Sequence, residues 1–314
     1  MSAETAKLLK PPAVRAGAGI SVVAPGSSAQ LERVEKGVAA LRALGFVPSV
    51  GPNALHRGPL YFAGATEKRI ADLHAAFADN QTAAVMCTRG GYGSNYLLDW
   101  LDLDVFRKHP KVFFAYSDLT GVQLRLLDEL GIPAFHGPMA AADFYLADGV
   151  HRDSFNAAIA GEPYHVGAAE GLRALRAGTA HGTLYGGCMS ILVSLLGTPW
   201  EPRTEGKLLF IEDVGTKPFQ VDRMLWQLRK AGKLEGVRGI IFGEMLNCVS
   251  PGAAADLLDR AILNALDGFE GPIAIGLRSG HVSRQNVTLT FGAEAELRVG
   301  DQTDLHLLEA AVKG

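Results

Sequence analysis

The sequence has few of the features that would assign it quickly. Only three of its 314 residues are cysteine, and Cys87, Cys188 and Cys248 stand far apart without a CxxC pair. That spacing supports neither a disulfide framework nor a structural zinc site. No apolar run approaches the ~18 residues that a membrane-spanning helix requires. Positive charge is not in excess. The formal net charge is −3, and no basic stripe interleaves with aromatic residues, so nucleic acid is not an expected partner. The opening stretch, MSAETAKLLKPPAVRAGAGISVV, lacks an apolar segment ahead of a small-residue cleavage site, and the expected location is cytoplasmic. Neither G-x-G-x-x-G nor G-x-x-x-x-G-K-[ST] occurs, so no dinucleotide or phosphate cradle is expected, and no metal or other cofactor is indicated.

What is present is the composition of a soluble globular protein, 48% hydrophobic and 20% charged. The length exceeds that of one compact core and predicts two domains. In the first half, strand-like runs (ISVVA, FVPSV, TAAVMCT, VFFAY) alternate with helical segments, among them TEKRIADLHAAFAD with Thr66 as its expected N-cap. Such alternation predicts an α/β domain with a parallel sheet, assigned here to residues 18–150. Residues 151–181 are Ala/Gly-rich and irregular, and are the expected linker. Residues 182–314 restart the pattern with KLLFIEDVG and VRGIIFGEM. They end in NVTLTFGAEAELRV, whose alternation is that of antiparallel strands, so a mixed, β-rich second domain is expected.

In open parallel sheets, chemistry gathers at loops that follow the carboxyl ends of strands. Two loops qualify. In KVFFAYSDLTGVQLRLLDEL, Ser117 lies between a buried strand and a helix marked by Leu119, Val122, Leu126 and Leu130. A serine on such a turn can be a nucleophile, with the following amide, that of Asp118, turned toward a developing oxyanion. Ser117 or Asp118 can equally be a helix cap. In CTRGGYGSN, Gly90, Gly91 and Gly93 allow close approach of backbone to a ligand, and Arg89 suits a carboxylate. Further on, LLFIEDVG drives a strand into Glu212 and Asp213, with Thr216 the expected cap of the helix beyond. GLRSGHVSRQN sets His281 in a loop, one of nine histidines. A serine, a carboxylate and a histidine in that chain order form a possible acyl-transfer set if a cleft gathers them. A nucleophilic Cys87 or Cys188 of an amidotransferase is the alternative from another class, though neither has the strand–turn–helix setting of Ser117. A binding protein without catalysis is a third.

The stretches ATEKRIADLHAAFAD, RGGYGSNYLLDWLD, FFAYSDLT, FHGPM, GGCMSILVSLLGTPWEP, FIEDVGTKPFQVDRML, IIFGEM and GHVSRQNVTLTFG, in this order, resemble the LD-carboxypeptidase (muramoyltetrapeptide carboxypeptidase, S66) family of serine peptidases. The resemblance implies an N-terminal α/β domain like that of class I glutamine amidotransferases. It implies Ser117 as nucleophile, Glu212 and His281 as its partners, and an oxyanion hole from the amides of Asp118 and Gly91. The implied reaction releases terminal D-alanine from murein tetrapeptides, in a homodimer and without cofactors. Arg89, Gly90 and Arg284 are the candidates for binding substrate. A relative cleaving an aminoacyl-nucleotide antibiotic of the microcin C type is the rival within the superfamily.

Overall fold

The computed structural model describes residues 8–314. Residues 1–7, part of the stretch read above for a leader, lie outside the described residues. Five parallel strands form the first sheet: β1 (Gly19–Val23), β2 (Val47–Val50), β3 (Thr82–Cys87), β4 (Val112–Ala115) and β5 (Ala134–His136). Between them run α1 (Leu31–Ala43), α2 (Thr66–Ala78), α3 (Leu103–Lys108) and α4 (Thr120–Leu130). Helix α1 buries Val34, Val38 and Leu41 on one stripe, as 3.6-residue periodicity dictates. Every residue of β4 is buried, because helices cover both faces of the sheet.

The chain continues through α5 (Arg152–Ala160), β6 (Tyr164–Val166), β7 (Arg173–Arg176), β8 (Gly178–Cys188), α6 (Met189–Ser194), β9 (Lys207–Glu212), α7 (Pro218–Lys230), β10 (Gly239–Gly243), α8 (Leu257–Ala265) and β11 (Ile273–Leu277). It ends in β12 (Leu289–Phe291), β13 (Glu294–Val299) and β14 (Asp304–Leu307). The second sheet has the order β6-β14-β13-β8-β9-β10-β11-β7. Strands β8 to β11 are parallel at its centre, and antiparallel strands close both edges.

The sheets do not follow the sequence division at 150 and 182. Strand β12 pairs antiparallel with β5 and completes the first sheet, whose order is β12-β5-β4-β3-β1-β2. The expected linker holds α5 and the edge strands β6 and β7, which pair with β14 and β11. Edge strands are partly exposed and lack the continuous apolar run of a central strand, which is why this segment looks irregular. Two expected caps are also replaced. Ala65 precedes α2, and the Thr66 hydroxyl instead accepts from Arg69 Nη2 at 3.3 Å. Lys217 precedes α7; its amide donates to Gln220 Oε1 at 2.9 Å, and Pro218 opens the helix.

Two registers position the site. Met86 of β3 pairs with Phe114 of β4, so the glycine loop and the Ser117 turn emerge side by side. Cys188 of β8 pairs with Glu212 of β9 at the corresponding end of the second sheet. Between the sheets, Phe291 of β12 packs 5.1 Å from the His136 ring and 6.1 Å from Phe210 of β9. Since β12 is hydrogen-bonded into the first sheet while its Phe291 packs against the second, urea unfolding is expected as a single transition, with Phe291→Ala destabilising by about 3–5 kcal/mol. Two separated transitions, monitored by fluorescence and circular dichroism, would contradict this coupling.

Candidate active site

Ser117 occupies the left-handed region of backbone space at φ 63°, where a non-glycine residue is uncommon. The strand before it ends at Ala115, and one short turn, Ser117–Leu119, leads into α4. Neither Ser117 nor Asp118 caps that helix through its side chain. Instead the Asp118 carboxylate reaches back to the glycine loop and accepts the amides of Gly93 at 3.2 Å and Ser94 at 2.9 Å. The Ser94 hydroxyl in turn donates to the Asp118 carbonyl. Burial pushes the Asp118 carboxyl up, and those amides together with Arg69 partly offset the rise. Arg69 is itself buried and donates to the carbonyls of Pro25, at 2.6 Å, and Gly93, at 2.8 Å.

This bracing brings the glycine loop against the serine. A methyl group on Gly90 would lie 2.9 Å from Ser117 Cβ and 3.1 Å from its Oγ, so the contact requires glycine. Gly91 has φ 101°, and its amide and that of Asp118 make no hydrogen bond to an acceptor among the described residues. Two free amides flanking a serine are what an oxyanion hole requires.

Glu212, at the end of β9, has no exposed surface. Its Oε2 accepts from His281 Nδ1 at 2.7 Å and from the His281 amide at 3.1 Å. The ring's other nitrogen, Nε2, is thereby left as the proton acceptor. Burial is the largest influence on His281 and acts to lower its pKa. The charge and hydrogen bond of Glu212, with the charges of Asp213 and Asp143, outweigh it and hold the imidazole above its ordinary value. Burial acts to raise Glu212, and the charge and hydrogen bonds of His281 overcome that penalty and hold it below its usual range. The Tyr116 ring stands edge-on to His281 at 5.3 Å and so sets the imidazole beside the residue preceding Ser117. No direct hydrogen bond joins Ser117 to His281 among the described residues; in unliganded sites such contacts often close only around substrate.

A buried polar network holds the histidine loop. The Asn286 amide group donates to Gly280 O and to Asp143 Oδ1, both at 3.1 Å, and its Oδ1 accepts from the Gly280 amide at 3.0 Å. Asp143 also accepts from the Met139 amide at 2.8 Å and from the Tyr116 hydroxyl at 3.3 Å. Burial raises the Asp143 carboxyl to about 6. Nothing in the local sequence marks Asp143 or Asn286; the signal would be buried polarity, visible only after folding.

The remaining candidates separate. Arg89 is exposed, and its charge is felt at the buried Tyr116 phenol, so it borders the site. Arg284 is exposed on the loop beyond His281. Both are free of ion pairs among the described residues. His136 is wholly buried without a hydrogen-bond partner, and burial brings it down to about 4, so it stays neutral. Burial likewise drives the thiols of Cys87 and Cys188 well above their ordinary range, which removes the thiolate that a cysteine nucleophile needs. Among the described residues no group of three His, Cys, Asp or Glu side chains is placed to hold a metal ion, and no helix is long and apolar enough to cross a membrane.

Comparison with known proteins follows the same lines. Residues 20–137 match the family model of the LD-carboxypeptidase N-terminal domain, and residues 181–297 that of the C-terminal domain. A probable murein peptide carboxypeptidase of Bacillus subtilis (strain 168) is 35% identical over 308 residues, covering 96% of this chain and 95% of that protein. The crystal structure of a muramoyltetrapeptide carboxypeptidase from Oxalobacter formigenes has a TM-score of 0.81 at 26% identity, covering 93% and 99% of the two chains. An MccF-like protein from Bacillus anthracis str. Ames has a TM-score of 0.87, also at 26% identity, with 95% and 99% covered.

The charge of Glu212 holds the His281 imidazole up against its burial. Glu212→Gln removes that charge and leaves the burial, so the titration midpoint of His281, followed by NMR, is expected to fall below its value in the unsubstituted protein. An unchanged midpoint would mean that Glu212 is not what sets it.

Proposed function

The chain belongs to the LD-carboxypeptidase family and is a serine-type carboxypeptidase, and from that premise we propose that it releases the terminal D-alanine of murein tetrapeptides in cell-wall recycling. The observation that carries the proposal is the buried Glu212–His281 contact, 2.7 Å long, set beside a serine in a left-handed turn.

In the proposed reaction, Ser117 Oγ attacks the carbonyl that diaminopimelate contributes to the scissile bond. Its proton passes to His281 Nε2. The negative charge that develops on the carbonyl oxygen is met by the amides of Gly91 and Asp118, an arrangement in which one lost donor typically costs ~10²–10³ in rate. Collapse breaks the C–N bond, and His281 returns the proton to the departing D-alanine amine. Glu212 keeps the imidazole in one tautomer and balances its transient charge. Water, deprotonated by His281, then cleaves the ester on Ser117 and frees the tripeptide. An exopeptidase must bind the free terminal carboxylate. Arg89, which borders the site, is the first candidate, and Arg284 the second.

A second reading, cleavage of an aminoacyl-nucleotide antibiotic, draws on the likeness to the MccF-like protein. The murein reading is preferred because it is the relative named for murein peptides that reaches 35% identity over nearly the whole chain. A cytoplasmic homodimer completes the proposal.

The test is D-alanine release from L-Ala-γ-D-Glu-meso-diaminopimelate-D-Ala. Ser117→Ala is expected to lower kcat at least ~10³-fold. Because the base must be neutral and its pKa is raised, kcat/KM is expected to rise with pH through a midpoint above the ordinary imidazole value of about 6.5. Release that survives in Ser117→Ala, or a midpoint below that value, would overturn the assignment.

A further inference from the structure

Thr120 is the first residue of α4, is 1% exposed, and makes two hydrogen bonds of different kinds. Its Oγ1 donates to the Ser117 carbonyl at 2.7 Å, an i to i−3 contact that threonine often makes in the first turn of a helix. The same oxygen accepts from the backbone amide of Cys188 at 3.1 Å. That second bond has nothing to do with the helix, for it comes from the last residue of β8, in the other sheet. Cys188 is paired in register with Glu212 on β9, and Glu212 holds His281. A single hydroxyl thus stands between the serine turn and the strand pair that carries the acid.

The socket around Thr120 is fitted to it. Gly187, the residue before Cys188, has φ 140°, and a Cβ there would lie 2.6 Å from Thr120 Cγ2 and 2.7 Å from Oγ1. The methyl and the hydroxyl therefore occupy the space that a side chain on β8 would take. No other side-chain hydrogen bond to Ser117 exists among the described residues. With Ser117 at φ 63°, its carbonyl direction fixes the turn, and the turn fixes where Oγ points.

Resting on the reaction assigned above, we propose that Thr120 is a positioning residue that clamps the Ser117 turn to the sheet carrying Glu212 and so sets the distance between nucleophile and base. The Thr120 hydroxyl bonds the Ser117 carbonyl and the Cys188 amide, not Ser117 Oγ or the His281 ring, and so acts through the Ser117 carbonyl. The hydroxyl is the group that matters, since it alone both donates and accepts.

Two near-isosteric variants separate the hydroxyl from the packing. Thr120→Val keeps the branched shape and loses both bonds; Thr120→Ser keeps both bonds and loses a methyl. Thr120→Val is expected to lower kcat by about ten- to a hundredfold, with KM changed by less than about twofold, as expected when a reacting group is displaced and binding is not. Thr120→Ser is expected to recover most of the rate even if its urea midpoint falls as far as that of the valine variant. Amide hydrogen exchange gives a readout independent of turnover: peptides spanning Ser117 and Cys188 exchange faster in Thr120→Val than in Thr120→Ser. Equal kcat and equal exchange in the two variants would overturn the clamp. If the unsubstituted protein released no D-alanine, the assigned reaction would fall while the exchange comparison still decided the clamp.

Discussion

A carboxylate with no exposed surface governs this architecture. Stripping Glu212 of water costs several kcal/mol unless charge and hydrogen bonds are returned to it, and they come from His281 through its ring and its backbone amide. Both groups lie at the ends of strands in the second sheet or in the loop beyond it. The serine lies at the end of a strand in the first. The cost of burying Glu212 is therefore offset only while the histidine loop is held, and the pair is useful only while the two sheets keep a fixed relation. Among the features that supply that relation are β12 pairing into the first sheet, the Asn286–Asp143 contact, and Thr120 bridging Ser117 to Cys188. Part of the cost remains, since Glu212 Oε1 has no partner among the described residues.

The second constraint is the strained turn. A non-glycine residue in the left-handed region costs about 1–3 kcal/mol and persists only where its surroundings over-determine it. Around Ser117 they do. Asp118 anchors two amides of the glycine loop, Arg69 ties that loop to Pro25, and Gly90 lets its backbone lie against the serine. The strain and the bracing have one geometric result. Oγ is held against the glycine loop, on the turn whose preceding residue, Tyr116, faces the His281 ring.

Much of this was legible in the sequence, because its carriers are local. The run Val112–Tyr116 before Ser117, the apolar strand ending at Glu212 and the glycine cluster each announce a strand end, and strand ends are where parallel sheets do chemistry. What local pattern cannot carry is partnership across the chain. Asn286 meets Asp143 from 143 residues away, and Cys188 meets Thr120 from 68. As isolated letters, nothing sets these four residues apart from any other asparagine, aspartate, cysteine or threonine. The segment 151–181 was illegible for a related reason: its strands are edge strands whose identity comes from β11 and β14, which lie far along the chain. The caps expected at Thr66 and Thr216 were displaced by Ala65 and Lys217, where backbone and Gln220 geometry outweighed residue preference.

In the proposed reaction the left-handed turn and the buried pair together make Ser117 an acyl carrier. The direct measurement is mass spectrometry of protein acid-quenched during turnover of the tetrapeptide, with peptide mapping of any adduct. A tripeptide acyl group in ester linkage to Ser117 is the expected result. Steady turnover with Ser117 unmodified, or the acyl group on Cys87 or Cys188, would contradict it.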